Sequence, residues 1–247
     1  MNSPRNFAAI EKKITHWLQE YLLKSGSKGF VVALSGGVDS SVTAVLCRRV
    51  TKSTLALLLP CGYSSPDDIS DAILVVKNFD IDHRTYDLTP IFETFLSAFH
   101  LTPDVPITIP LANIKARLRM VALYYESNRL QRLVVGTSNR TELALGFFTK
   151  YGDGGVDLMP LGNLLKREIR GLASHLGIPQ SIIMKTPSPG LWPGQTDEGE
   201  LGASYDQLDD LVMGKTTHGM TRAEVKRFQE RIAKNVHKRN LLPICPL

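Results

Sequence analysis

The sequence is short of cysteine, of long apolar runs and of concentrated charge, and each shortage excludes something. Its three cysteines, Cys47, Cys61 and Cys245, lie far apart, form no C-x-x-C pair and leave an odd thiol. Such spacing supplies neither a zinc site nor a disulfide framework, and reduced thiols in a cytoplasmic protein are the expectation. No apolar run approaches the roughly 18 residues that span a membrane. The opening MNSPRNFAAIEKK has no apolar stretch of the secretory type. Basic residues never gather in a block of about five or six, so no nucleic-acid-binding arm is expected. Internal repeats and low-complexity tracts are also missing.

What is present suits a folded chain. The 247 residues are 43% hydrophobic and 21% charged, enough for one large domain with its own core and unlike a disordered, collagenous or coiled-coil chain. Against 24 acidic residues stand 29 Lys and Arg, a net charge of +5. So mild an excess suits an anionic ligand such as a nucleotide as well as it suits a nucleic acid.

Apolar periodicity predicts a helix over 7–24, with Ile10, Ile14, Trp17 and Tyr21 on one face and Ser25-Gly26 at its end. The run 29–34 (GFVVAL) reads as a buried parallel strand, followed by a glycine turn and a helix from Val38 to Val50. A second strand is expected over 54–59, closed by Pro60, and a third over 83–88. Ser65-Pro66-Asp67-Asp68 opens a helix, with serine as cap, proline in the first turn and acids at the positive end. Prolines 103, 106 and 110 keep 100–110 mostly extended. A helix over 113–127, a fourth strand over 132–135 and a helix over 163–175, stopped by Gly177 and Pro179, follow. Residues 187–200 read as a long mobile loop, and Thr221-Arg222-Ala223-Glu224 as a capping box opening a basic helix to about Lys238. Alternating strands and helices imply an α/β fold: a Rossmann-like parallel sheet flanked by helices, with ligands beyond the carboxyl ends of its strands.

The segment that carries chemistry is Ser35-Gly36-Gly37-Val38-Asp39-Ser40-Ser41, between a strand and a helix. Two glycines allow a sharp turn, the helix start offers free N–H groups, and three hydroxyls add donors, a cradle for phosphate oxygens. No Gly-Lys-Ser/Thr follows, so this is not a Walker A loop, nor is it G-x-G-x-x-G. Asp39 is out of place beside a phosphate unless a cation lies between, so it implies Mg²⁺ bridging carboxylate and polyphosphate.

Ser-Gly-Gly-x-Asp-Ser after a buried strand resembles the pyrophosphate loop of the N-type ATP pyrophosphatases. Within that group, several further segments resemble NAD synthetase: Gly136-Thr137-Ser138-Asn139-Arg140-Thr141-Glu142, Gly146 through Asp157, Asn113 through Met120, Gln195 through Glu198, Glu200 through Tyr205, and His237-Lys238-Arg239. The resemblance covers most of the chain. It implies an ammonia-dependent ligase that amidates deamido-NAD⁺ at the expense of ATP, through an acyl-adenylate, releasing AMP and pyrophosphate.

The resemblance also implies roles. Ala33, Leu34, Ser35, Gly36, Gly37, Val38, Asp39 and Ser40 would hold the ATP phosphates, together with Thr137, Lys166 and Ser188. Asp39 and Glu142 would hold Mg²⁺, and Asp39 and Lys166 would be catalytic. Arg117, Lys150, Asp157, His237 and Lys238 would bind deamido-NAD⁺. Unaided, Glu142 reads as a surface carboxylate and Lys166 as a solvated lysine. Many relatives have an arginine where Leu58 stands, so one adenosine contact is expected to be lost; Ser188 replaces a common threonine; and nothing is carried over onto residues 61–65. The length leaves no room for a glutaminase domain, so a single synthetase domain over 1–247 using free or delivered ammonia is expected. Relatives form homodimers, and Leu118, Val121, Ala122 and Tyr125 offer one exposed helix face for it. No membrane or nucleic-acid partner is expected. A tRNA-thiolating enzyme would want a cysteine or iron–sulfur set that is missing. A nucleotide sensor would have no need of Glu142, Lys150, Asp157 and Lys166 together.

Overall fold

Three short apolar runs and one polar one pair into a single parallel sheet. The computed structural model describes residues 5–62, 65–190, 192, 194–240 and 243–245. In chain order the elements are α1 (Phe7–Ser25), β1 (Phe30–Ala33), α2 (Val38–Val50), β2 (Thr54–Leu58), α3 (Pro66–Asn78), β3 (Asp82–Thr85), α4 (Thr89–Ala98), α5 (Ile109–Leu130), β4 (Leu133–Val135) and α6 (Arg140–Leu145). They continue with α7 (Lys166–Leu176), α8 (Gln180–Met184), α9 (Asp197–Leu201), α10 (Tyr205–Val212), α11 (Arg222–Lys234) and a 3₁₀ turn at Val236–Lys238.

The strand order is β3-β2-β1-β4. Val31 pairs with Leu55 on one side and with Val134 on the other, all in parallel. Parallel strands covered on both faces must be apolar throughout, and Phe30, Val31 and Val32 are wholly buried. Leu18, Leu46, Leu172 and Ile182 pack with one face of the sheet; Phe92, Leu96, Leu111 and Leu123 pack with the other. A third, smaller core of Leu145, Leu201, Leu208 and Phe228 joins α6, α9, α10 and α11. The order of strands reverses between β1 and β4, so the crevice at their carboxyl ends is where an open α/β sheet takes a ligand.

Most sequence expectations for the elements hold, and the departures have physical causes. Asn6 caps α1 through its side chain, and Gly26 ends it at φ +67°. Ser65 stands at the cap of α3, but its side chain makes no cap bond; Pro66 and the acids Asp67 and Asp68 set that start. The long central helix begins at Ile109 rather than 113, because proline costs little in a first turn, where no intrahelical N–H bond is lost. Similarly, α4 opens on Thr89-Pro90 in a stretch the sequence pattern left without structure. The helix expected over 163–175 starts at Lys166. Residues 197–200, expected within a loop, are helical in α9; Leu191 and Pro193 of that loop lie outside the described residues. Among the described residues no helix is long and apolar enough to cross a membrane.

The third strand, expected over 83–88, lies at Asp82–Thr85 and is shorter. All four residues of β3 are exposed, and it forms the sheet edge beside β2. What holds it is Glu126 on α5, a wholly buried carboxylate that accepts from Arg84 (2.8 Å), Tyr86 (2.5 Å) and Arg129 (2.7 Å). Burial works against the carboxylate, yet the hydrogen bonds from Tyr86, Arg129 and Arg84 outweigh it and hold its pKa below the ordinary value. Glu126→Ala is expected to cost about 3 kcal/mol, the lower end for breaking a buried pair, because both arginines are themselves accessible to water. Urea denaturation checks this; a loss under 1 kcal/mol (~0.7 pK unit) would mean the network is dispensable. With a lowered folded pKa, the stabilisation is complete above the ordinary value of 4.5 and disappears as pH falls through the folded value.

Candidate active site

The turn after β1 is pinned by its own serines. Ser40 Oγ accepts from the Ser35 amide (3.2 Å), lies 3.1 Å from Ser35 Oγ and donates to the Gly37 carbonyl (3.0 Å). Ser41 Oγ donates to that same carbonyl (2.8 Å). Gly36 lies at φ +83° with its α-carbon against α3: a Cβ there would sit 2.2 Å from the Asp68 carbonyl oxygen. Only glycine meets both demands. Gly37 caps α2 with no side-chain bond, so amide donors of the first turn are left for an anion, at the positive end of a 13-residue helix.

The turn after β4 brings the opposing groups. Asn139 caps α6 in a reciprocal box, accepting from the Glu142 amide (3.0 Å) while Glu142 Oε2 accepts from the Asn139 amide (3.1 Å). The Asn139 side-chain amide also donates to Asp39 Oδ1 (3.0 Å), linking the two turns. Lys166, first residue of α7, is set by Asp209, whose carboxylate accepts from the backbone amides of Lys166 (3.3 Å) and Arg167 (3.1 Å) and from Thr141 Oγ1 (2.5 Å).

These supports converge on one charge cluster. Lys166 Nζ, on a residue only 3% exposed, lies 2.5 Å from Asp39 Oδ2 and 3.4 Å from Glu142 Oε1. Burial disfavours the Lys166 ammonium, but Asp39, Glu142 and Asp197 outweigh it and hold its pKa above the ordinary value. Burial pushes the Glu142 carboxyl up despite Lys166, with Asp39 and Asp197 adding to the rise. Two carboxylates therefore share a single buried cation at the foot of a phosphate-type turn.

A cleft of about 590 Å³ opens over the cluster, lined by Ala33, Leu34, Ser35, Gly37, Val38, Asp39, Ser40, Thr137, Glu142, Lys166, Ser188 and Lys238. Its side walls include Leu58, Ile69, Ala72 and Ile182, an apolar slot beside the turn. Arg117, Lys150, Asp157 and His237 stand outside this lining. Arg117 donates to the Lys150 carbonyl (3.3 Å) and Lys150 Nζ to the His237 carbonyl (3.0 Å), while Lys238 Nζ donates to the carbonyls of Gly146 (2.8 Å) and Phe148 (2.9 Å). Asp157 lies apart, accepting from Tyr124 Oη (2.9 Å) and the Val134 amide (2.8 Å).

A family model described as NAD synthase matches residues 10–242 of this chain. The chain belongs to the NAD synthase family. It is 40% identical over 244 residues to the NH(3)-dependent NAD(+) synthetase of Carboxydothermus hydrogenoformans, covering 98% of each chain. The solved structure of NMN synthetase from Francisella tularensis is similar with a TM-score of 0.92 at 34% identity, covering 98% of this chain and 100% of that one. That of the NH3-dependent NAD synthetase from Campylobacter jejuni, in complex with the nitrate ion, gives 0.80 at 28% identity with the same coverage.

As a NAD synthase family member, the chain contains more site residues than its sequence disclosed. Asn139 was legible, since Asn-x-x-Glu is a capping signature. Asp197, Tyr205 and Asp209 were not, because they reach the cluster from α9 and α10, far along the chain from Asp39, Glu142 and Lys166. Among the described residues no three His, Cys, Asp or Glu side chains gather closely enough to hold a metal unaided. Asp39 and Glu142 nonetheless offer hard oxygen donors around one cation, the chemistry Mg²⁺ takes when substrate phosphates complete its shell.

Proposed function

We propose that this chain is an ammonia-dependent NAD⁺ synthetase: it adenylates the nicotinate carboxylate of deamido-NAD⁺ with ATP and then amidates it with ammonia. The observation that carries the reading is the buried Asp39–Lys166–Glu142 cluster at the foot of the turn after β1. In the first step a carboxylate oxygen attacks the α-phosphorus of ATP, and the bond to pyrophosphate breaks. In the second, ammonia attacks the acyl carbon, loses a proton, and AMP leaves with the bonding pair. Direct amidation would require expelling oxide from a carboxylate, which is why a better leaving group is made first.

The protein's part is placement. The turn and the α2 amides hold the departing pyrophosphate, and Lys166 stabilises charge that develops on it. Asp39 and Glu142 would hold Mg²⁺, which when bound supplies a charge clamp on the phosphate oxygens. Thr137 and Ser188, which line the cleft, would contact ATP, and Arg117, Lys150, Asp157, His237 and Lys238 would bind the second nucleotide. The apolar slot containing Leu58 takes the adenine without the arginine common in relatives. No side chain serves as a covalent nucleophile. We also propose that residues 1–247 form a single synthetase domain, acting in the cytoplasm.

A homodimer completes this reading. On α5, Val121 and Tyr125 are exposed at 59% and 63%, whereas Leu118 and Ala122 pack against the core. Sedimentation is expected to show a dimer; a fully active monomer would reject it.

The likeness to NMN synthetase favours a second reading, in which the acceptor is the mononucleotide of nicotinate. One assay separates them: ATP, Mg²⁺ and ammonium with either acceptor, following pyrophosphate and the amide product. Higher kcat/KM with deamido-NAD⁺ supports the first reading, higher kcat/KM with the mononucleotide supports the second, and turnover of neither rejects both.

A further inference from the structure

Glu142 is held from two sides, and only one of them belongs to its own helix. Its Oε2 is fixed by the Asn139 amide within the capping box. Its Oε1 lies 3.3 Å from the hydroxyl of Tyr205, a residue 2% exposed at the start of α10. That hydroxyl also donates to Asp197 Oδ2 at 2.6 Å. A phenol has one proton, so the two carboxylates share it, Asp197 more closely at 2.6 Å than Glu142 at 3.3 Å. Its ring lies under Lys166, whose Nζ is 4.8 Å from the centroid.

Asp197 is itself anchored where the cleft's loop ends. Its amide donates to the Pro187 carbonyl (2.9 Å), drawing the two ends of the segment 187–197 together. The Tyr205 amide donates to Glu198 Oε1 (2.8 Å), which ties α10 to α9. A path of hydrogen bonds therefore runs from Pro187 through Asp197 and Tyr205 to a carboxylate of the cation cluster, its last link the longest at 3.3 Å, and Asp197 and Tyr205 have no other task in the proposed chemistry.

We propose that Tyr205 and Asp197 are positioning residues: together they fix the Glu142 carboxylate for the metal–ATP complex. The inference rests on the reading of Asp39 and Glu142 as the groups that hold Mg²⁺. Outer groups that orient metal-holding side chains are commonly worth about 10- to 100-fold in metal affinity.

The test is a titration of wild type, Tyr205→Phe, Asp197→Asn and the double variant with Mn²⁺–ATP, read as bound Mn²⁺ by electron paramagnetic resonance, with melting temperature alongside. Both substitutions keep shape and packing. Each single variant is expected to weaken Mn²⁺–ATP binding about 10-fold, the double variant to be no weaker than either, and binding of deamido-NAD⁺ alone to stay unchanged. Wild-type affinity in Tyr205→Phe, or a double variant that loses the product of the two effects, overturns the proposal. If Tyr205→Phe melts early, Asp197→Asn carries the same comparison alone. A wild type that binds no Mn²⁺–ATP brings down the metal reading itself, a result distinct from equal binding by all four proteins.

Discussion

Lys166→Met is expected to lower kcat by roughly a hundred- to a thousand-fold while leaving the KM for ATP within a few-fold of its starting value. The reason lies in the balance of charge. One ammonium, almost wholly buried, faces Asp39 at 2.5 Å and Glu142 at 3.4 Å. In the resting protein its charge is taken up by the two carboxylates, so little of it is spent on ATP in the ground state. As pyrophosphate departs, the same charge meets an anion that is growing more negative, so its interaction is stronger in the transition state than in the ground state, the condition for a kcat effect. Methionine keeps length and burial and removes only the charge. Lys166→Arg should restore little, because a planar fork does not fit a site built for a compact ammonium. Steady-state kinetics decides: a raised KM with unchanged kcat would make Lys166 a binding group only.

Asp39→Asn is expected to be as damaging, with a different signature. The substitution keeps the shape of the side chain, and its remaining oxygen still accepts from the Asn139 amide that now meets Asp39 Oδ1 at 3.0 Å. Packing and the turn should survive. What is lost is the negative charge that would hold the cation between this side chain and the phosphates, so the Mg²⁺ concentration for half-maximal rate should rise, and the rate at saturating Mg²⁺ should still fall by about two to three orders of magnitude. Measuring initial rates across Mg²⁺ concentrations separates the two components. Rates matching wild type at every concentration would show that the Asp39 charge has no part in metal use or turnover.

The fold was legible where burial writes a pattern and illegible where it does not. Buried parallel strands are apolar end to end, so β1, β2 and β4 stand out in FVVA, TLALL and LVV. Edge strand β3, Asp-His-Arg-Thr, is expected over 83–88, but with every side chain exposed no apolar pattern fixes its bounds, and its contact with Glu126 on a distant helix leaves no local signal. Proline misleads in both directions: Pro90 and Pro110 open helices, while the same residue elsewhere ends them.

The site divides in the same way. Asp39 could be singled out because a carboxylate beside a phosphate cradle is an electrostatic contradiction that demands a cation. Glu142 and Lys166 were ordinary surface residues by that logic; the family resemblance named them, and the fold buries both beside Asp39. Asp209, which fixes the start of α7 through two backbone amides, lies 43 positions beyond Lys166, and Tyr205 lies 63 beyond Glu142. Contacts of that separation are properties of the tertiary structure, and a single sequence does not record them.

The central claim is that the turn after β1 holds a departing pyrophosphate while the carboxylate becomes an adenylate. Rapid quench of the protein with deamido-NAD⁺ and ATP labelled at its α-phosphate, without ammonia, tests it most directly. The account predicts a burst of bound adenylate matched by pyrophosphate, converted to NAD⁺ and AMP when ammonium is added. Label that stays in ATP until ammonium arrives would contradict it.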